Sequence, residues 1–179
     1  MGIEVVYMDK IRTILKQVRN GFVNNECELN LFKGKTYRQA LEELVKEGVV
    51  DHEDALVAIN KGYKTLAKVT LEAIKMGYYH MLRYGGETYG QIAEKLLKKG
   101  ILDPEEYHLA MRHGNQNRAE RAMDAVENGF YNETMPGTNM TYGQQLMHFG
   151  KIGIVDQEEA ALLCVNARKE RELHESYGK

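Results

Sequence analysis

The sequence predicts an all-α fold: a single compact array of three tandem three-helix repeats of about 52 residues each. Three observations carry that expectation. Proline is nearly absent, 2 residues in 179, which leaves room for helices, whereas 17 glycines argue against uninterrupted ones. A short motif returns at near-constant spacing: Thr36-Tyr37-Arg38-Gln39, Thr88-Tyr89-Gly90-Gln91 and Thr141-Tyr142-Gly143-Gln144 lie 52 and 53 residues apart, and a period of that size is the signature of a repeat array. Apolar residues between the motifs recur at the 3.6-residue spacing of an amphipathic helix.

The first helix of each repeat is read from that spacing: Ile11, Ile14, Leu15, Val18 and Phe22, then Ala67, Leu71, Ile74 and Tyr78, then Ala119, Ala122, Met123, Val126 and Phe130. Each run ends in glycine plus an aromatic: Gly21-Phe22, Gly77-Tyr78 and Gly129-Phe130. The second helix begins at the threonine. Its hydroxyl accepts from a first-turn N–H while the glutamine three residues on reaches back, a capping box. Twelve residues after the threonine stands Gly48, Gly100 or Gly153, where the helix stops. An apolar pair follows, then Asp51, Asp103 or Asp156, which caps a third helix with an acidic pair in its first turn. Pro104 sits in that first turn, where its missing N–H costs nothing.

Gly62 and Gly114 lie between the third helix of one repeat and the first of the next, and read as junctions. Ala167 holds the matching place in the last repeat, and the pattern runs on through Arg168-Lys169-Glu170-Arg171-Glu172 as a charged terminal helix. Such a helix suits the uncovered end of an array. The repeats are expected at about 8–60, 61–113 and 114–168, with the extension reaching 179. A short strand is expected at Glu28–Phe32.

Composition narrows the functional classes. A formal charge of −2, 43% hydrophobic and 28% charged residues describe an ordinary globular chain and exclude disordered and collagenous classes. No apolar run approaches the roughly 18 residues a membrane span needs, so no membrane association is expected. Met1-Gly2-Ile3-Glu4 lacks the basic start and apolar stretch of a signal peptide, and two cysteines, Cys27 and Cys164, are too few for a disulfide scaffold. The expectation is a cytoplasmic protein with reduced thiols.

Catalytic chemistry finds little to stand on. Glu105-x-x-His108 has the spacing of a carboxylate-bridged metal helix, but such a site needs a second pair of this kind and two further glutamates on facing helices, and no other histidine has a glutamate three residues before it. A metal-dependent helical-bundle enzyme therefore ranks third among the readings. Cys164 occupies the place of Ile59 and Met111 and reads as a core residue, and Cys27 lies between Glu26 and Glu28, which raise a thiol pKa. No phosphate-binding loop, dinucleotide fingerprint or nucleophile elbow occurs. No cofactor is expected, and the reading is non-enzymatic.

Two binding readings remain. Arg12, Lys16 and Arg19 follow one another at helical spacing, as do Lys61, Lys64 and Lys68, and Tyr37, Tyr89 and Tyr142 would supply stacking faces for bases: a nucleic-acid interface. The favoured reading is a regulatory or inhibitory module that binds a protein partner through its variable inter-helix loops. These loops are aromatic and methionine-rich where loops are usually polar, and Phe32, Tyr79, Met81, Tyr84, Tyr131 and Met135, with Tyr37, Tyr89 and Tyr142 at the loop exits, are the expected anchors; the competing expectation, of equal weight, is that the loops fold back over the core and the three tyrosines pack at the helix starts.

Overall fold

The structure, a computed structural model, describes residues 2–83 and 85–177. Among these residues it is all-helical. The helices are α1 (Gly2–Arg19), α2 (Tyr37–Lys46), α3 (His52–Lys75), α4 (Tyr89–Lys98), α5 (Pro104–Glu127), α6 (Tyr142–Lys151) and α7 (Gln157–Tyr177). The strand expected at Glu28–Phe32 is instead a 3₁₀ turn over Asn30–Phe32, and extended pairing is confined to single bridges, among them Glu26 with Thr36.

The start of α2 shows how sequence becomes structure here. The first four N–H groups of a helix have no partner within it. In α2 all four are satisfied. Thr36 N–H donates to Gln39 Oε1 (2.8 Å), and Gln39 N–H donates to Thr36 Oγ1 (3.2 Å), the capping box read from the motif. The other two donate backward into the preceding loop, Tyr37 N–H to the Asn25 carbonyl (2.9 Å) and Arg38 N–H to the Val23 carbonyl (3.1 Å). Helix α6 repeats the scheme: its box joins Thr141 and Gln144, and Tyr142 and Gly143 donate to Glu133 and Tyr131. In α4, Tyr89 and Gly90 donate to Met81 and Tyr79.

Helix ends are equally regular. Gly48 has φ +73°, its N–H donates to Val45 and that of Val49 reaches back to Leu44, which is the Schellman arrangement. The same pair of bonds closes α1 at Gly21-Phe22 and α3 at Gly77-Tyr78. The helices that follow are capped by aspartate: Asp51 Oδ1 accepts from Glu53 and Asp54, and Asp156 Oδ1 from Glu158 and Glu159.

The expected junctions at Gly62 and Gly114 do not interrupt anything. The third helix of one predicted unit and the first helix of the next are a single continuous helix, α3 and again α5, each of 24 residues. The buried stripe explains why: Ala55, Ala58, Gly62, Leu66 and Thr70 in α3, and Ala110, Gly114, Arg118, Ala122 and Val126 in α5, run on without a change of phase. A glycine inside a helix costs about 1 kcal/mol relative to alanine. Here it is needed for space. A Cβ on Gly62 would lie 2.1 Å from the Val18 carbonyl oxygen, where the end of α1 crosses α3, and one on Gly114 would lie 2.1 Å from the Ile74 carbonyl oxygen.

The chain divides into two compact units. One holds the described residues of 1–70, 83–87 and 91–103; the other holds those of 71–82, 88–90 and 104–179. In the first, α1 packs on α2, with Ile11, Ile14, Val18, Leu41 and Leu44 buried. In the second, α5, α6 and α7 pack together on a core of Ala122, Val126, Leu146, Ala160 and Cys164.

Candidate functional site

The loops expected to bind a partner are ordered by the bonds they give to the next helix, and that ordering turns several expected anchors inward. Phe32 and Tyr37 are 4% exposed and Met135 is 3% exposed, so all three are core residues and not surface anchors. Burial pushes the Tyr37 hydroxyl above the usual phenol range. Tyr79, Tyr89, Tyr131 and Tyr142 are half-buried. The Tyr79 ring lies where a Cβ on Gly90 would be, and the Tyr131 ring does the same at Gly143, so a glycine in the first turn of α4 and of α6 makes the slot for a ring from its own loop. The Tyr131 hydroxyl then accepts from Arg168 Nε (2.9 Å), whose guanidinium stands over the ring at 5.2 Å. Met81 is the expected anchor that is exposed, at 41%, while Tyr84 lies outside the described residues.

The basic residues have the opposite fate. Arg12, Lys16, Arg19, Lys61, Lys64 and Lys68 are all exposed. Arg12, Lys16, Arg19 and Lys61 line one surface cavity of about 310 Å³ together with Leu15 and Asn20. Arg12 has an exposed ion pair with Asp9 (3.5 Å). Among the described residues the other five have no ion pair and no side-chain hydrogen bond. Of the tyrosines expected to stack bases, Tyr37 is buried, and Tyr89 and Tyr142 are half-buried.

Cys27 and Cys164 are buried free thiols, and both are pushed above the usual thiol range chiefly by burial; for Cys27 the neighbouring Glu28 is a lesser cause. Glu105 and His108 stand exposed on α5, and among the described residues no three His, Cys, Asp or Glu side chains converge as a metal site would require. Arg118 is the unexpected residue. It is buried in the α5 stripe, its guanidinium lies 5.6 Å from the Phe149 ring centre and donates to Gln145 Oε1 (3.3 Å), and burial with the nearby Arg121 lowers its pKa. Its place four residues after Gly114 and four before Ala122 was the available signal for burial.

Exposed apolar side chains fall close together in sequence around the expected anchor Met81. In the second unit Met76, Tyr78, Met81 and Leu82 are all exposed, Leu82 at 69%. The backbone beneath them is held at both ends: Tyr78 N–H donates to Ala73, Met81 N–H to Tyr78, and Leu82 pairs with Thr88. No described helix is long and apolar enough to cross a membrane. Compared with protein-family models, curated proteins and solved structures, the chain matches none, and the surfaces described above are the basis for assigning a role.

Proposed function

We propose that the chain is a tandem array of three units of about 52 residues and works as a non-enzymatic, cytoplasmic module that binds another protein, in a regulatory or inhibitory role. The observation that carries this reading is the set of apolar side chains on the ordered loop of the second unit. Met76, Tyr78, Met81 and Leu82 stand in solvent within seven residues, on backbone that is already hydrogen-bonded. Exposed apolar clusters on ordered backbone mark interaction sites, because ordering costs no further entropy on binding. Methionine adapts to irregular partner surfaces. Support for the array comes from the shared scheme of loop-to-helix bonds at the starts of α2, α4 and α6, which holds loops of different length and sequence in one kind of frame. The anchors are therefore Met81 with Met76, Tyr78 and Leu82; Phe32, Tyr37 and Met135 serve the core.

Affinity capture followed by mass spectrometry, comparing the wild type with the double variant Met81→Ser/Leu82→Ser, tests the reading. Both positions are exposed, so folding should be preserved. Loss of specific captured proteins in the variant is the expected result. Identical partner lists would overturn it.

A further inference from the structure

We propose that the first unit also carries a binding site for the phosphate backbone of double-stranded nucleic acid, on the cationic face where the end of α1 crosses the middle of α3. Charge segregation is the first ground. Lys10–Asn25 and Ala55–Leu71 together contain seven of the chain's 24 Lys and Arg residues and none of its 26 Asp and Glu residues. The crossing brings the two stretches together. Gly62 lets the Val18 carbonyl sit against α3, and the Thr65 hydroxyl, 2.9 Å from the Lys61 carbonyl of its own helix and 3.1 Å from the Arg19 carbonyl, lies at the contact between the two cationic rows. Arg12, Lys16, Arg19 and Lys61 then share one cavity, and Lys64 and Lys68 continue the α3 row beyond it.

Cations in the last turn of a helix complement its dipole, which would account for Lys16 and Arg19. It does not account for Lys61, Lys64 and Lys68, which lie in the middle of α3. Nor is a basic face a general property of these long helices. The residues 52 positions further on are His113, Gln116 and Glu120. Five of the six cations lack any partner among the described residues, so self-repulsion is retained on this face.

The ligand follows from spacing and from what the face lacks. Arg12 to Arg19 and Lys61 to Lys68 each span about 10 Å at a rise of about 1.5 Å per residue. Duplex DNA presents one charge per about 1.7 Å of axis, so 10 Å of duplex offers about six phosphates to six cations. Single strands are held by aromatic stacking platforms. Of the aromatic residues in these two stretches, Phe22 is half-buried with the Arg83 guanidinium over its ring, and Tyr63 is buried.

Fluorescence anisotropy with a labelled 20-base-pair duplex DNA of arbitrary sequence tests the site in the full chain. Dissociation constants of about 1–100 µM are expected near 50 mM NaCl, and log affinity should fall with log salt at a slope of about −5 for six contacts. The triple variant Lys16→Glu/Arg19→Glu/Lys61→Glu should bind at least tenfold more weakly, while Lys46→Glu/Lys151→Glu, reversed at exposed sites elsewhere, should change affinity less than threefold. The milder Lys64→Gln/Lys68→Gln variant should reduce the slope by about two, which keeps the site testable if the triple variant misfolds. Absence of duplex binding, equal losses in the triple and control variants, tighter binding of a single strand of the same length, or binding to anionic phosphatidylserine vesicles without binding to duplex would each overturn the proposal.

Discussion

Replacing Gly62 by alanine sets two effects of opposite sign against each other. Judged by helix propensity alone, the change should stabilise α3 by about 1 kcal/mol, since glycine in a helix interior is that much poorer than alanine. The crossing reverses the expectation. The new methyl would lie 2.1 Å from the Val18 carbonyl oxygen and 2.7 Å from Val23 Cγ2, against ordinary contacts of 3.4–4 Å. The end of α1 must therefore retreat by more than an ångström. That carbonyl is not free to do so, because it accepts the Gly21 N–H (3.0 Å) in the turn that closes α1, and Val23 is fully buried. Overpacking of this kind costs about 1–3 kcal/mol and sometimes more, and the atom displaced is backbone, which puts the cost at or beyond the upper end. The net loss expected is about 2 kcal/mol or more, or a fall of at least about 4 °C in midpoint for a chain of this size. Thermal and urea unfolding followed by circular dichroism at 222 nm measure it, and hydrogen exchange at Asn20–Phe22 should speed up selectively. An unchanged or raised midpoint would refute the reasoning, because it would mean α1 is not held against α3. Gly114→Ala, with the Ile74 carbonyl in the same place, should behave alike.

Two further outcomes follow from groups whose pKa the surroundings shift. Both cysteines should resist 5,5′-dithiobis(2-nitrobenzoate) at pH 8 in the native protein and react within minutes once urea unfolds it, since burial raises both thiols and removes access; rapid labelling of the native chain would contradict this. His80 is held below the usual histidine range, first by desolvation and second by the Arg118 guanidinium. The unfolded chain then takes up this proton first as pH falls, so stability present above about pH 6.5 is lost as pH drops through the depressed folded value. His80→Gln should reduce the difference between urea midpoints measured at pH 7.5 and 5.0, and an identical difference in variant and wild type would remove His80 as a contributor.

Element starts and stops were legible because each rests on a local bond between near neighbours. Thr36 with Gln39, Asp51 with Glu53, and Gly48 with Val45 are separated by two or three residues, and residue type alone dictates the partner. Gly62 and Gly114 misled because glycine has two uses, to end a helix and to admit a neighbour. The apolar phase runs unbroken past both glycines, which was the distinguishing signal; cap-type residues were not, because Thr65 stands three residues after Gly62 as Asp51 does after Gly48, and Asn117 three after Gly114. The loop anchors were harder. Whether Tyr79 or Tyr131 points outward depends on a glycine 11 or 12 residues later in the chain, and that coupling acts through space rather than along the sequence. Phe32 and Met135 are large apolar residues inside loops, and nothing short-range decides between their standing in solvent and folding over the core, where the structure places them.

The single bridges that close the loops, Glu26 with Thr36, Leu82 with Thr88 and Thr134 with Thr141, have a use beyond holding a helix start. Each pins the two ends of a loop to one another, so the residues between them form a closed ring. Enlarging such a ring costs only closure entropy, about 0.6 kcal/mol for each doubling. Foreign segments inserted between Leu82 and Thr88 should therefore be carried without unfolding the helices on either side, which makes this architecture a ready host for grafted recognition loops.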